Sequence, residues 1–121
     1  EQNVFAHDVL DTLAGLFPDD PPRFITRTPH GYHDTALIRR ELNDAGFSEV
    51  TIETKPGESR APSARIAAVA YCQGTPIRNE IEARGGNLDA VTERVAAAIA
   101  ERHGSGEVTA KIQAHVIAAA A

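Results

Sequence analysis

The sequence predicts an α/β protein, or an α+β unit if the chain is taken by itself, with about five helices and two strands. Three observations carry that reading. Apolar residues recur at helical spacing over most of the chain, as at Val4, Phe5, Val9, Leu10, Leu13, Leu16 and Phe17. Residues 47–54 alternate instead, with Val50 and Ile52 on one face and Thr51 and Glu53 on the other. The last stretch, residues 111–121, is apolar almost throughout and reads as a strand made to be buried inside a sheet.

Taken in order, the first helix covers residues 4–17 and stops at Pro18, which opens a stiff Pro18-Asp19-Asp20-Pro21-Pro22 turn. Residues 23–32 are irregular, with Phe24-Ile25 expected to be extended. Asp34 suits an N-cap, because its carboxylate can accept the first free amides of a second helix. Leu37, Ile38, Leu42 and Ala45 form the buried stripe of that helix, and Gly46 stands where a left-handed C-terminal cap is wanted. The strand at 47–54 follows, and residues 55–60 read as a turn or loop because Pro56-Gly57 interrupts them.

Pro62 falls in the first turn of a third helix carrying Ile66, Val69 and Ala70, closed near Gly74. Thr75-Pro76 starts a short helix with Ile77 and Ile81, ended by Gly85-Gly86. Leu88, Val91, Val95, Ala98 and Ile99 define a fifth helix that stops at His103-Gly104. Ser105-Gly106 then leads to the closing strand.

A length of 121 residues fits a single domain, 1–121, with no internal repeat. Aromatic residues make up only 5%, and alanine supplies much of the 42% hydrophobic content, so each buried residue contributes little area. A net charge of −5 with scattered basic residues excludes the basic footprint of a nucleic-acid binder. No apolar run is long enough for a bilayer and no signal-peptide pattern opens the chain, so no membrane partner is expected. The lone Cys72 cannot form an internal disulfide, which favours the cytoplasm. The absence of methionine leads us to expect a chain that begins after a cleavage or truncation.

Two strands make a marginal sheet, so sheet neighbours are expected to be missing. A second copy could supply them, and we expect a homodimer or higher assembly through the closing strand. Replacing Val116 by lysine is then expected to damage both folding and association, by burying an unpaired charge.

Residues Leu42-Asn43-Asp44-Ala45-Gly46-Phe47-Ser48-Glu49-Val50 carry a resemblance. They are similar to the junction near the end of class I S-adenosylmethionine-dependent methyltransferases, where a helix closes in an Ala-Gly-Phe turn and enters the sixth strand. Pro29-His30-Gly31-Tyr32-His33-Asp34 is similar to the loop before that helix in small-molecule members. Gln73-Gly74-Thr75-Pro76, the helix from Leu88 to Ile99, and Gln113-Ala114-His115-Val116 resemble a subset with helices inserted before the final strand. The resemblance implies two antiparallel strands that would complete a Rossmann-like methyltransferase sheet, with the closing strand as the seventh, between the fifth and sixth. It also implies S-adenosylmethionine as cofactor of the intact enzyme and a small-molecule acceptor. The glycine-rich turn and ribose-binding acid of the family have no counterpart in these residues, so no cofactor-binding residue is carried over.

His30, Tyr32, His33 and Asp34 form the densest group of reactive types. Read plainly, they are a polar loop with an N-cap; as a metal centre they lack a third ligand. Under the resemblance the loop borders the acceptor pocket, and His30, Tyr32 and His33 become candidate substrate-binding residues, with His30 or Tyr32 able to position or deprotonate a nucleophile. Cys72 is expected to be a buried structural thiol, His115 a hydrogen-bonded core histidine, and His103 a cation at a helix C-terminus. Arg60, Arg65 and Arg78 read as surface residues, though an anionic acceptor could use them. Glu80 and Glu82 belong to a charged helix face.

Two readings of function follow. In one, the chain is the substrate-side C-terminal portion of a methyltransferase, inert by itself. In the other it is a free-standing α+β module that dimerises through its last strand. A metal-assisted enzyme using His30 and His33 is a third and weaker reading.

Overall fold

The computed structural model describes residues 3–121. Among them run six helices and a two-stranded antiparallel sheet, an α+β fold. The order is α1 (Val4–Leu16), α2 (Phe24–Arg27), α3 (Thr35–Asp44), β1 (Glu49–Ala61), α4 (Ala64–Cys72), α5 (Ile77–Ala83), α6 (Leu88–His103) and β2 (Val108–Ala120).

Local chemistry sets several of the helix ends. Asp34 caps α3 by accepting from the amides of Ala36 at 2.9 Å and Leu37 at 3.1 Å. Ser63 does the same for α4 through the amide of Ile66, and Asn87 for α6 through that of Ala90. Pro62 accordingly stands just before the cap of α4 rather than within its first turn. After α3 and α6 the chain reverses through Gly46 and Gly104, at φ values of +98° and +99°.

The core lies where α1, α4 and α6 meet. Phe5, Val9 and Leu13 face Ala64, Ala68 and Cys72 and the Val95 and Ile99 side chains, with Ile77 and Ile81 of α5 closing one side. The buried face of α4 is built largely from alanine, which lets its backbone approach α6 closely. That choice of face corrects the sequence expectation, because Ile66 is 50% exposed and Ala70 is exposed, while Ala64, Ala67, Ala68 and Cys72 are buried. Small side chains win the interior position because a close helix pair has no room for isoleucine.

The two strands form a long ribbon, paired from Glu49↔Ala120 to Ala61↔Val108. Residues 55–60, expected as a loop, are strand throughout. The register explains the tolerance of Pro56. Its partner Gln113 sends its amide away from β1, to Oδ1 of Asn3 at 3.1 Å. The pair is therefore a non-hydrogen-bonded one, and the missing proline N–H interrupts no ladder bond.

One end of the ribbon is rooted in the core through Ala61, Val108 and Ala110. Helix α3 covers one face of the other end: Ile38 is buried, Val50 and Ile52 are half-buried, and the Arg39 guanidinium donates to the Val50 carbonyl. The opposite face is open, with Val116 53% exposed and Ala118 and Ala120 exposed. Within this chain the closing strand is thus buried only at its beginning, contrary to the sequence expectation.

Phe24-Ile25 is helical rather than extended. The Glu80 carboxylate on α5 accepts the amides of Arg23 at 2.7 Å and Phe24 at 3.0 Å, capping α2 from 56 residues away or more. No described helix is long and apolar enough to cross a membrane.

Candidate functional site

A cleft of about 860 Å³ opens between α1, residues 26–35 and the α3-covered face of the ribbon. All three residues singled out in the loop before α3, His30, Tyr32 and His33, line it. Gly31 makes this loop possible, since a Cβ there would stand 2.4 Å from the Thr26 carbonyl oxygen. The His30 amide donates to the Ile25 carbonyl at 2.9 Å, tying the loop to α2.

Each side chain has a distinct setting. Burial holds the His30 imidazole below its usual pKa, so it stays neutral further into acid. Tyr32 is 54% exposed and donates to the Glu41 carboxylate on α3, which raises its phenol above the usual value. His33 keeps its Nδ1 within 3.4 Å of the Gly31 carbonyl oxygen.

The tertiary fold adds residues that the sequence reading did not assign to the site. His7 comes in from α1, with Nδ1 3.2 Å from Asp11 Oδ2. His115 and Thr54 enter from paired positions of β2 and β1, Nδ1 to Oγ1 at 2.9 Å. His115 is hydrogen-bonded as expected, but it borders a cleft instead of a core. Strand alternation placed it on one face; only the position of α3 and α1 shows that this face is the cleft wall.

Among the described residues no aspartate, glutamate, lysine or arginine lines the cleft. Among the described residues no three histidine, cysteine or acidic side chains come together to hold a metal ion, so His30 and His33 do not gain a third ligand. A smaller groove of about 560 Å³ runs along α3 between Arg39, Arg40, Asn43 and Ile52, and meets the cleft at Thr35 and Thr54.

No family model matches the chain, and no curated protein matches it.

The other candidates have structural roles. Cys72 is fully buried and its thiol is pushed up to about 11, chiefly by burial, so it is no nucleophile. Arg60, Arg65 and Arg78 pair at the surface with Glu58, Glu93 and Glu82, and none lines the cleft. Glu80 and Glu82 diverge in use: Glu82 stays in its surface pair, whereas Glu80 anchors α2. His103 does more than complement a helix end, since it meets the buried carboxylate of Asp8. An acid inside the apolar stripe of α1 is the one signal in the sequence that pointed there.

A nucleoside cofactor needs backbone exposed at a strand-to-helix turn. The turn from β1 into α4, Ala61-Pro62-Ser63-Ala64, holds no glycine and one proline. These residues do not fit such a group.

Proposed function

We propose that this chain is the C-terminal, acceptor-side portion of a class I S-adenosylmethionine-dependent methyltransferase acting on a small molecule. One observation carries the reading. Helix α3 ends at Asp44 and the chain turns through Gly46 into β1, which pairs antiparallel with the closing strand β2, in the order the resemblance implies for the sixth and seventh strands. The cleft beside the His30–His33 loop supports it further, since that is where the resemblance puts the acceptor. On this reading the free edge of β2 receives the fifth strand, the cofactor is held by residues outside this chain, and the setting is cytoplasmic.

In the intact enzyme these residues bind and orient the acceptor, excluding water from it, while catalysis is mostly placement. The chain by itself is inert. The test is a calorimetric titration with S-adenosylmethionine of this chain and of the same chain extended by its genomic upstream sequence. Heat from the extended protein only is the expected result. Binding by the 121-residue chain, or a start codon directly before Glu1, overturns the proposal.

A second reading, a free-standing module that forms a homodimer through β2, has its own support. The exposed edge of β1 carries Lys55, Pro56, Glu58 and Arg60, devices that discourage strand addition, whereas residues 114–121 of the closing stretch are uncharged and lack proline. Sedimentation of the chain decides it: a monomer at high concentration ends this reading.

A further inference from the structure

His115 stands on the ribbon wall of the cleft that also carries His30 and His33, and its Nδ1 is already taken by Thr54. The nitrogen left to a ligand is therefore Nε2. With Nδ1–H donating to Thr54 Oγ1, Nε2 keeps its lone pair and is an acceptor.

The walls decide what such an acceptor would meet. Leu10, Pro29, Ile38 and Ile117 supply apolar surface, enough to take a flat hydrocarbon body. Among the described residues no charged side chain lines the cleft, and burial favours the neutral form of His30. Two carboxylates bonded to residues of the wall, Asp11 and Glu41, are engaged by His7 and Tyr32. An ionised ligand would lose hydration here without gaining an opposite charge. The cationic groups Arg39 and Arg40 line the adjoining groove along α3 and not the cleft itself.

We propose that this cleft takes an uncharged hydroxylated aromatic molecule, a phenol, and that His115 accepts its hydroxyl hydrogen bond while Thr54 positions the imidazole. The inference rests on the reading of the cleft as the acceptor site and names the acceptor's chemical class. A phenol suits the walls because it is neutral at pH 7, a strong donor and otherwise apolar.

The test is nuclear magnetic resonance of the histidine ring nitrogens in the 121-residue chain, titrated with 4-methylphenol and with 4-methylbenzoate as an anionic probe of the same shape. Saturable shifts of the His115 ring with 4-methylphenol, at least about fivefold tighter than with 4-methylbenzoate, are expected. Equal or tighter binding of the benzoate overturns the phenol assignment. Shifts at His30 and His33 with none at His115 remove His115 while leaving the acceptor site in place. No shift at any of the three removes the cleft as an acceptor site altogether. Thr54→Val is expected to change the His115 tautomer signature and weaken binding about fivefold, with Thr54→Ser restoring both. An unchanged His115 spectrum and affinity in Thr54→Val rejects the positioning role.

Discussion

Asp8 and His103 are 95 residues apart in the chain, and their side chains meet at 2.7 Å between Oδ2 and Nε2. The second carboxylate oxygen of Asp8 is held by Arg102, and the His103 ring stacks edge-on against Phe5 at 5.2 Å. Asp8 is only 4% exposed, and these two partners satisfy both of its oxygens inside the protein. This contact fixes the beginning of α1 against the last turn of α6.

Removing the Asp8 carboxylate leaves Arg102 and His103 without their shared partner. Asp8→Ala is expected to cost about 2 kcal/mol of stability by urea denaturation. Arg65→Ala breaks an ion pair whose side chains are 66% and 57% exposed, and is expected to change stability by less than about 0.5 kcal/mol. Equal effects would show that the clasp adds nothing beyond a surface pair.

The Cys72 thiol gives the protein an alkaline weakness. Its folded pKa is raised, from 9.0 to about 11, so between those values the folded state holds a proton that the unfolded state has released. The stabilising contribution is fully present below pH 9 and declines as pH rises towards 11. Denaturant midpoints should fall across that window and fall less in Cys72→Ala, once its own cavity cost is subtracted. A thiol reagent at pH 8 should label the unfolded chain and spare the folded one.

Backbone geometry separates two glycines. Gly104 has φ +99° and ψ 170°, a region open essentially to glycine alone, so Gly104→Ala is expected to cost about 1–3 kcal/mol. Gly15 lies within α1, and a Cβ there meets open space. Gly15→Ala should stabilise by about 0.5 kcal/mol, through helix propensity. Thermal unfolding of the two variants checks opposite signs.

Val116 tests the open face of β2. Because it is 53% exposed in the single chain, Val116→Lys is expected to change the folding stability of a monomer by less than about 0.5 kcal/mol. If copies join through this strand, the same substitution should lower the sedimentation coefficient to that of a monomer. A folding defect in a monomeric variant would mean that the face is covered within the chain.

Much of the candidate site was legible before the fold was known, because the reactive types at His30, Tyr32 and His33 are neighbours in sequence and Asp34 announces the helix that follows them. His7, Thr54 and His115 were not, since nothing in their own neighbourhoods separates a cleft wall from any other half-buried face. Asp8 shows the middle case: its position in an apolar stripe marks it as unusual, but its partners lie at the far end of another helix.

The sequence by itself determined the α+β class, the helix start at Asp34, and the reversals at Gly46 and Gly104. These depend on hydrogen bonds and steric limits within a turn or so of each residue, which local sequence encodes fully. Tertiary structure decided that residues 55–60 are strand, that α4 buries its alanines and exposes Ile66, that Glu80 caps α2, and that four histidines face one cleft. Each of those outcomes is a competition among contacts between residues dozens of positions apart. Pairing β1 with β2 satisfies a whole ladder of amides at once, and that sum outweighs the local turn preference of Pro56-Gly57.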